Sequence, residues 1–277
     1  MIRLGDYNTL TVLRQTDFGV YLEGDATGDV LLPRRYVPEG TKPGDVLSVF
    51  IYLDSEERLV ATTERPLARV GDFAFLEVAW VNRYGAFLRW GPIKDLFCPF
   101  GEQKKKLDVG DRCLVHVHID EQSYRLVAST KVERYLKGDF PPYAKGDAVS
   151  LIVWQRTELG YKVIVDNAYA GLVYRDQVFR HIRLGDRLTG YIAAVRDDGK
   201  LDVALQPAGR QHQADFAATL LQYLKEHDGV CHLGDKSDAD DIAQQFGVSK
   251  KTFKRAVGDL YKRCLVTPGP LSTRLNR

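Results

Sequence analysis

The stretch Gly71-Asp72-Phe73-Ala74-Phe75-Leu76-Glu77-Val78-Ala79-Trp80-Val81-Asn82-Arg83-Tyr84-Gly85-Ala86-Phe87-Leu88 decides the fold. It opens on Gly-Asp, runs through aromatic and β-branched residues, breaks at Asn82, and resumes after a glycine 14 positions from the first. A further Gly-Asp, Gly110-Asp111, follows 25 positions on. The same landmarks recur on both sides: Gly5, Gly19 and Gly44 before it, Gly146, Gly160 and Gly185 after it, with offsets of 14 and 25 each time. Each unit closes on a similar run, Leu59 to Thr63, Leu126 to Thr130 and Leu201 to Leu205. Shared spacing plus a shared ending marks an internal repeat of three units.

Within the middle unit, Phe75–Asn82, Gly85–Trp90, Asp95–Pro99, Cys113–Ile119 and Arg125–Thr130 read as strands, because they are aromatic and β-branched runs bounded by turn residues. A looser segment, Phe100–Asp108, separates the third strand from the fourth. Five short strands in about 60 residues fit a Greek-key barrel of the oligonucleotide-binding kind (OB-fold), whose closure removes exposed strand edges. Before the third unit Lys131–Lys145 holds an insertion around Phe140-Pro141-Pro142-Tyr143, and Pro-Pro marks a boundary.

Past Pro207 the alternation gives way to helical spacing. Phe216, Leu220, Leu221, Tyr223 and Leu224 form one stripe, with His212, Gln213, Gln222 and Lys225 off it. Ser237 with Asp240 reads as a capping box opening a second helix through Phe246. Gly247-Val248 makes a turn, and Ser249 caps a third helix reaching about Cys264. Two helices around a glycine turn form a helix-turn-helix. Leu265-Val266 and Thr273-Arg274-Leu275, about Pro268-Gly269-Pro270, form a wing. The expected fold is therefore mostly β and multidomain: three tandem barrels at 1–66, 67–135 and 136–209, then an α+β winged helix at 210–277.

The composition agrees with folded domains. Of 277 residues 44% are apolar and 27% charged, and the net charge of +2 does not by itself announce a polyanion partner. No apolar run of membrane-spanning length and no leader-like start occur, so a cytoplasmic protein is expected. Cys98, Cys113, Cys231 and Cys264 are too scattered for a disulfide framework and read as buried thiols.

Tyr84 and Phe87 flank Gly85 just as Phe18 and Tyr21 flank Gly19. Outward aromatics on such a barrel are platforms for stacking bases; the bland alternative places these rings in the barrel interior.

The three units resemble the S-one-type RNA-binding domain repeated in the largest small-subunit ribosomal protein. Its motif has aromatic-Gly-x-aromatic in the second strand, a Gly-Leu-Ile-His-like third strand, a late Gly-Asp, and Asp and Arg flanking the last turn. The resemblance implies RNA contacts at Phe18, Tyr21, Asp54 and Arg58 in the first unit and at Tyr84, Phe87, Asp120 and Arg125 in the second. Pro33 and Pro99 stand where that family prefers histidine. In the third unit Leu159 and Lys162 replace the aromatic pair, and Tyr174 of Gly171-Leu172-Val173-Tyr174 takes the histidine position. Its binding face is altered, as a spacer's would be.

Three such units before a winged helix further resemble the conserved virulence factor B family of bacteria, over the whole chain. That resemblance implies an RNA-binding regulator of virulence gene expression.

The third helix carries Lys250, Lys251, Lys254, Arg255, Lys262 and Arg263 against Asp259. Its first four cations suit phosphates, or make a plain solvated face. Cys113 points away from His116 and His118 by strand alternation. The acids Asp235, Asp238, Asp240 and Asp241 lack the spacing of a calcium loop and suit a helix start. No phosphate-binding loop, nucleophile elbow or carboxylate pair stands out. No metal, no cofactor and no catalysis are expected. The main expectation is single-stranded RNA binding on the first two barrels. A DNA-binding regulator placing Lys250, Lys251 and Arg255 in the major groove and a scaffold for a ribosome-associated or nuclease partner stand as alternatives.

Overall fold

The structure, a computed structural model, describes residues 1–26, 28–178, 181–207 and 210–276, without the side chains of 176 and 210–215. The expected barrel boundary at 209 and the side chains of His212 and Gln213 lie outside the described residues.

Three closed five-stranded barrels follow one another. The first joins β1 (Tyr7–Thr16), β2 (Gly19–Asp25), β3 (Gly28–Pro33), β4 (Val46–Leu53) and β5 (Leu59–Thr62) in the order β1-β2-β3-β5-β4. The second uses β6 (Phe73–Val81), β7 (Gly85–Arg89), β8 (Leu96–Pro99), β9 (Arg112–Ile119) and β10 (Leu126–Ser129) in the same cyclic order. The third uses β11 (Ala148–Arg156), β12 (Gly160–Val165), β13 (Tyr169–Tyr174), β14 (Arg187–Val195) and β15 (Leu201–Ala204). A single 3-10 turn follows the third strand of each, at Arg34–Tyr36, Phe100–Glu102 and Arg175–Gln177. The strand pattern expected of the middle unit thus holds to within two residues.

The repeated glycines have a steric cause. A Cβ on Gly19 would stand 2.1 Å from the Leu32 carbonyl oxygen, on Gly85 2.3 Å from that of Cys98, and on Gly160 2.1 Å from that of Val173. The second strand passes so close to the third at its start that no side chain fits there.

A second repeated device is not visible in the spacing. The first strand of each barrel carries a bulge, between Val12 and Arg14, Val78 and Trp80, and Val153 and Gln155. A bulge adds one residue against the partner strand and reverses the inward–outward alternation beyond it. It sets Arg14 opposite Tyr21, Trp80 opposite Phe87 and Gln155 opposite Lys162.

The chain divides into two compact units, 1–136 and 137–277. In the first unit, one cluster runs from Phe50, Tyr52 and Val60 of the first barrel into Leu76, Leu88, Trp90 and Val115 of the second. Phe50 meets Trp90 edge to face at 5.6 Å and 78°, the arrangement aromatic quadrupoles favour. The two barrels share apolar interior and are fixed to each other.

In the second unit the third barrel keeps its own core of Leu151, Val153, Val163, Val173 and Ile192. α1 (Arg210–Glu226), α2 (Ala239–Phe246) and α3 (Lys250–Lys262) pack with a small sheet, ordered β16 (Val230–Cys231), β18 (Thr273–Leu275), β17 (Val266–Pro268). Phe216, Leu220, Leu224, Ile242, Phe253 and Leu260 fill its core. The expected wing strands are present; β16 is too short to announce itself in the sequence.

The cap of α2 differs from expectation. Asp238, not Ser237, is the N-cap, its side chain accepting from the Asp240 N–H at 2.9 Å. Ser237 Oγ instead accepts from the Gly234 N–H at 2.8 Å, fixing the turn before the helix. Gly247 ends α2 in the left-handed conformation, and Ser249 caps α3 by accepting from the Thr252 N–H, both as expected.

Candidate nucleic-acid interface

The bulges and close-packed glycines determine what each barrel displays. On the first barrel Phe18 is 76% exposed in the turn before β2. Tyr21 is half-buried, with the Arg14 guanidinium 4.2 Å over its ring. Arg58 donates through Nε and Nη2 to Asp54 Oδ2 at 2.9 and 2.8 Å and pairs with Glu56 at 3.1 Å. Burial pushes the Asp54 carboxyl up, but hydrogen bonds from the Arg58 backbone and guanidinium and the Glu56 N–H outweigh it and hold the group below the ordinary carboxylate range. Asp54 thus acts as a fixed acceptor that orients Arg58.

The second barrel displays more aromatic surface. Tyr84 is 58% exposed, and Trp80 lies flat on Phe87, centroids 3.6 Å apart and planes 4° from parallel. Phe97 contacts Phe87 at 4.9 Å and 34°. One face of Phe87 is therefore already covered, and Trp80, 44% exposed, presents the indole in its stead. The indole Nε1 donates to Asp95 Oδ2 at 2.9 Å, which fixes its orientation.

Asp120 accepts from the Ser123 hydroxyl and N–H at 2.6 and 2.9 Å, which lowers its pKa. Arg125 does not turn to Asp120; its guanidinium pairs with Glu57 of the first barrel.

Between these barrels runs a groove of about 590 Å³. Tyr84, Phe87 and Phe97 line it from the second barrel, Leu53 and Ser55 from the first, and Glu57 and Arg125 face each other across it. Lys94, also on the groove, donates from Nζ to the Asp54 carbonyl, and burial lowers its pKa. The network runs from Arg58 through Asp54 to Lys94, and the next residue, Asp95, holds Trp80. Hydrogen bonds thus tie the last turn of the first barrel to the second.

The third barrel differs as its sequence implied. Leu159 is exposed in the aromatic position, and Lys162 Nζ lies 5.4 Å over the Trp154 ring. Tyr174 is bound by Arg196, which also donates to Asp202 at 3.1 and 2.7 Å. The Arg196 N–H bonds the Lys200 carbonyl just as Asp54 bonds Arg58 and Asp120 bonds Arg125. Arg196 and Lys200 therefore hold the places of the acid and the arginine, so the last turn of this barrel is cationic at both.

On α3, Lys251, Lys254 and Arg255 are exposed and Lys250 is half-buried. Lys254 pairs with Asp235 at 2.9 Å, so one of the four expected phosphate contacts already has an acidic partner.

Sequence reading missed Trp80, Phe97, Lys94, Glu57 and Arg196. Trp80 is hidden by the bulge, since unbroken alternation from Leu76 and Val78 turns it inward. Among the described residues no three histidine, cysteine or acidic side chains gather as a metal site, and no helix is long and apolar enough to cross a membrane.

An S1 domain model matches residues 4–64, and a CvfB-like winged helix domain model matches residues 218–275. Both are nucleic-acid-binding domain types. The protein YitL of Bacillus subtilis (strain 168) is 30% identical over 268 residues, covering 94% of this chain and 90% of its own. Conserved virulence factor B of Staphylococcus saprophyticus is 26% identical over 231 residues, 81% of this chain and 77% of its own. A solved multidomain protein with nucleic acid binding domains from Streptococcus pneumoniae is 22% identical and covers 99% of this chain and 98% of its own, at a TM-score of 0.44.

Proposed function

Since the chain belongs to the conserved virulence factor B family, we propose that it binds single-stranded RNA on its first two barrels and acts, without catalysis, in post-transcriptional regulation of gene expression in the cytoplasm, virulence genes included. The observation that carries this reading is the aromatic and cationic groups that each of those barrels displays: Phe18, Tyr21, Arg14 and Arg58 on one, Trp80, Tyr84, Phe87 and Arg125 on the other. Rings stack on any base and need an unpaired strand to reach it. Guanidiniums hold phosphates in two-pronged contact. Asp54 and Asp120 are placed to orient and brace the turns that carry the arginines. Lys162 and Tyr174 of the third barrel, with Arg196 beside Tyr174, would add charge contacts and little stacking.

Lys250, Lys251, Lys254 and Arg255 are the corresponding phosphate contacts on the winged helix. The Lys254–Asp235 pair weakens the case for that helix as the main site, and a duplex-DNA regulator is the competing outcome.

The test is the affinity of the full chain for equal lengths of single-stranded RNA, single-stranded DNA and duplex DNA across salt concentrations. Preference for single-stranded RNA with a moderate salt slope fits stacking barrels. Preference for the duplex with a steep slope, lost on deleting residues after Pro207, would move the function to α3.

A further inference from the structure

Resting on that reading, we propose that the groove between the first and second barrels receives one nucleotide of the bound strand, its base against Tyr84 and Phe97 and its phosphate on Arg125 in place of Glu57. At about 590 Å³ the groove is of the size that holds a small organic ligand. Its walls are mostly aromatic and aliphatic, with charge placed around them. Tyr52 and Trp90, each 2% exposed, belong to the shared core, so the two walls are held at a fixed spacing.

The charges are not equivalent. Asp95 is engaged by the Trp80 indole and Lys94 by the Asp54 carbonyl, both as part of the barrel framework. The Arg125–Glu57 pair instead spans the two barrels with both side chains about half exposed. Such a pair contributes little to stability. Glu57 sits in the β4–β5 turn at φ +66°, in the left-handed region that a glutamate rarely adopts. A carboxylate on a guanidinium occupies the place a phosphate would take. A strand entering the groove therefore exchanges one anion for another at Arg125 while its base leaves water for the aromatic wall. The two barrels then read the strand through a joint site, not as two beads.

The experiment measures binding of the full-length protein to a fluorescent oligouridylate over a salt series, for the wild type, Glu57→Gln and Glu121→Gln. Both variants remove one negative charge, but Glu121 lies in the β9–β10 turn and does not line the groove. Glu57→Gln is expected to raise affinity about three-fold or more at low salt, because the phosphate no longer has to displace a carboxylate from Arg125. Glu121→Gln is expected not to. In a companion measurement, 5-iodouridine in the same oligomer should cross-link to the segment containing Tyr84 or Phe97. Equal behaviour of the two variants, or cross-links confined to residues outside the groove, would overturn the proposal while leaving RNA binding intact. A wild type that binds no oligouridylate and no other single-stranded RNA would overturn the RNA reading itself.

Discussion

Trp80 rests on Phe87 with ring planes 4° from parallel because the bulge at Ala79 turns the indole out of the barrel. The same bulge sets Arg14 over Tyr21 on the first barrel. One backbone irregularity, repeated, thus builds a ring-on-ring platform in one copy and a cation-on-ring platform in another, and the side chain at that position decides which.

Replacing Trp80 by Ala should weaken single-stranded RNA binding by about 1–2 kcal/mol, the scale of one stacked base, with a loss of thermal stability of about 1 kcal/mol from the Phe87 stack, since the indole is 44% exposed. Fluorescence anisotropy against labelled RNA, paired with a melting curve, checks both halves.

The double variant Tyr84→Ala with Phe87→Ala should cost a few kcal/mol of RNA binding at most. Phe87 is packed between Trp80 and Phe97, so some stability is lost too. A folded double variant with unaltered affinity, measured by titration, would remove these residues from the interface.

Gly85→Ala should destabilise the first unit by about 3 kcal/mol or more, since the new methyl meets the Cys98 carbonyl at 2.3 Å and backbone must move. Gly110→Ala is a useful contrast, because nothing lies within 4 Å there and only its φ of +86° opposes the change. Urea titration of the two variants should give the larger loss for Gly85.

His116 is held neutral. Burial is the main cause and the neighbouring His118 the next, and together they push its pKa down to about 4. Its ring stacks on Tyr135 at 4.0 Å, while Nδ1 of both histidines is buried without a hydrogen-bond partner among the described residues. The folded pKa is depressed below the unfolded value near 6.5, so between those values the unfolded chain binds the extra proton. Stability is full above about pH 6.5 and declines as pH falls towards 4, by roughly 2 kcal/mol for this group at pH 5. Urea midpoints at pH 7.5 and 5 measure the decline, and His116→Gln should flatten it; an equally steep decline in that variant would assign it elsewhere.

The barrel repeat is legible because closure demands glycine at a fixed place: Gly19, Gly85 and Gly160 lie where a neighbouring carbonyl leaves no room, and the spacing between them follows. The helix ends were legible for a similar local reason, as Ser249 and Gly247 do their work within one turn. Trp80 was not, because one inserted residue reverses the alternation on which such reading depends. The Ser237 cap failed because two adjacent residues, Ser237 and Asp238, both suit the role, and only the fold of the preceding turn claims the serine. Partners far apart in sequence, such as Glu57 and Arg125 or Phe50 and Trp90, leave no local trace at all.

The core shared by the first two barrels also bears on biosynthesis. Synthesis runs from the N-terminus and domains generally fold as they are completed, yet Phe50, which meets Tyr7 within its own barrel, and Tyr52 complete their cover with a later segment that includes Trp90. Until the ribosome has released that later segment, the nascent first barrel carries an uncovered aromatic patch, a natural target for a holding chaperone. Polypeptides truncated between the first two barrels would inherit this patch permanently and be prone to aggregate.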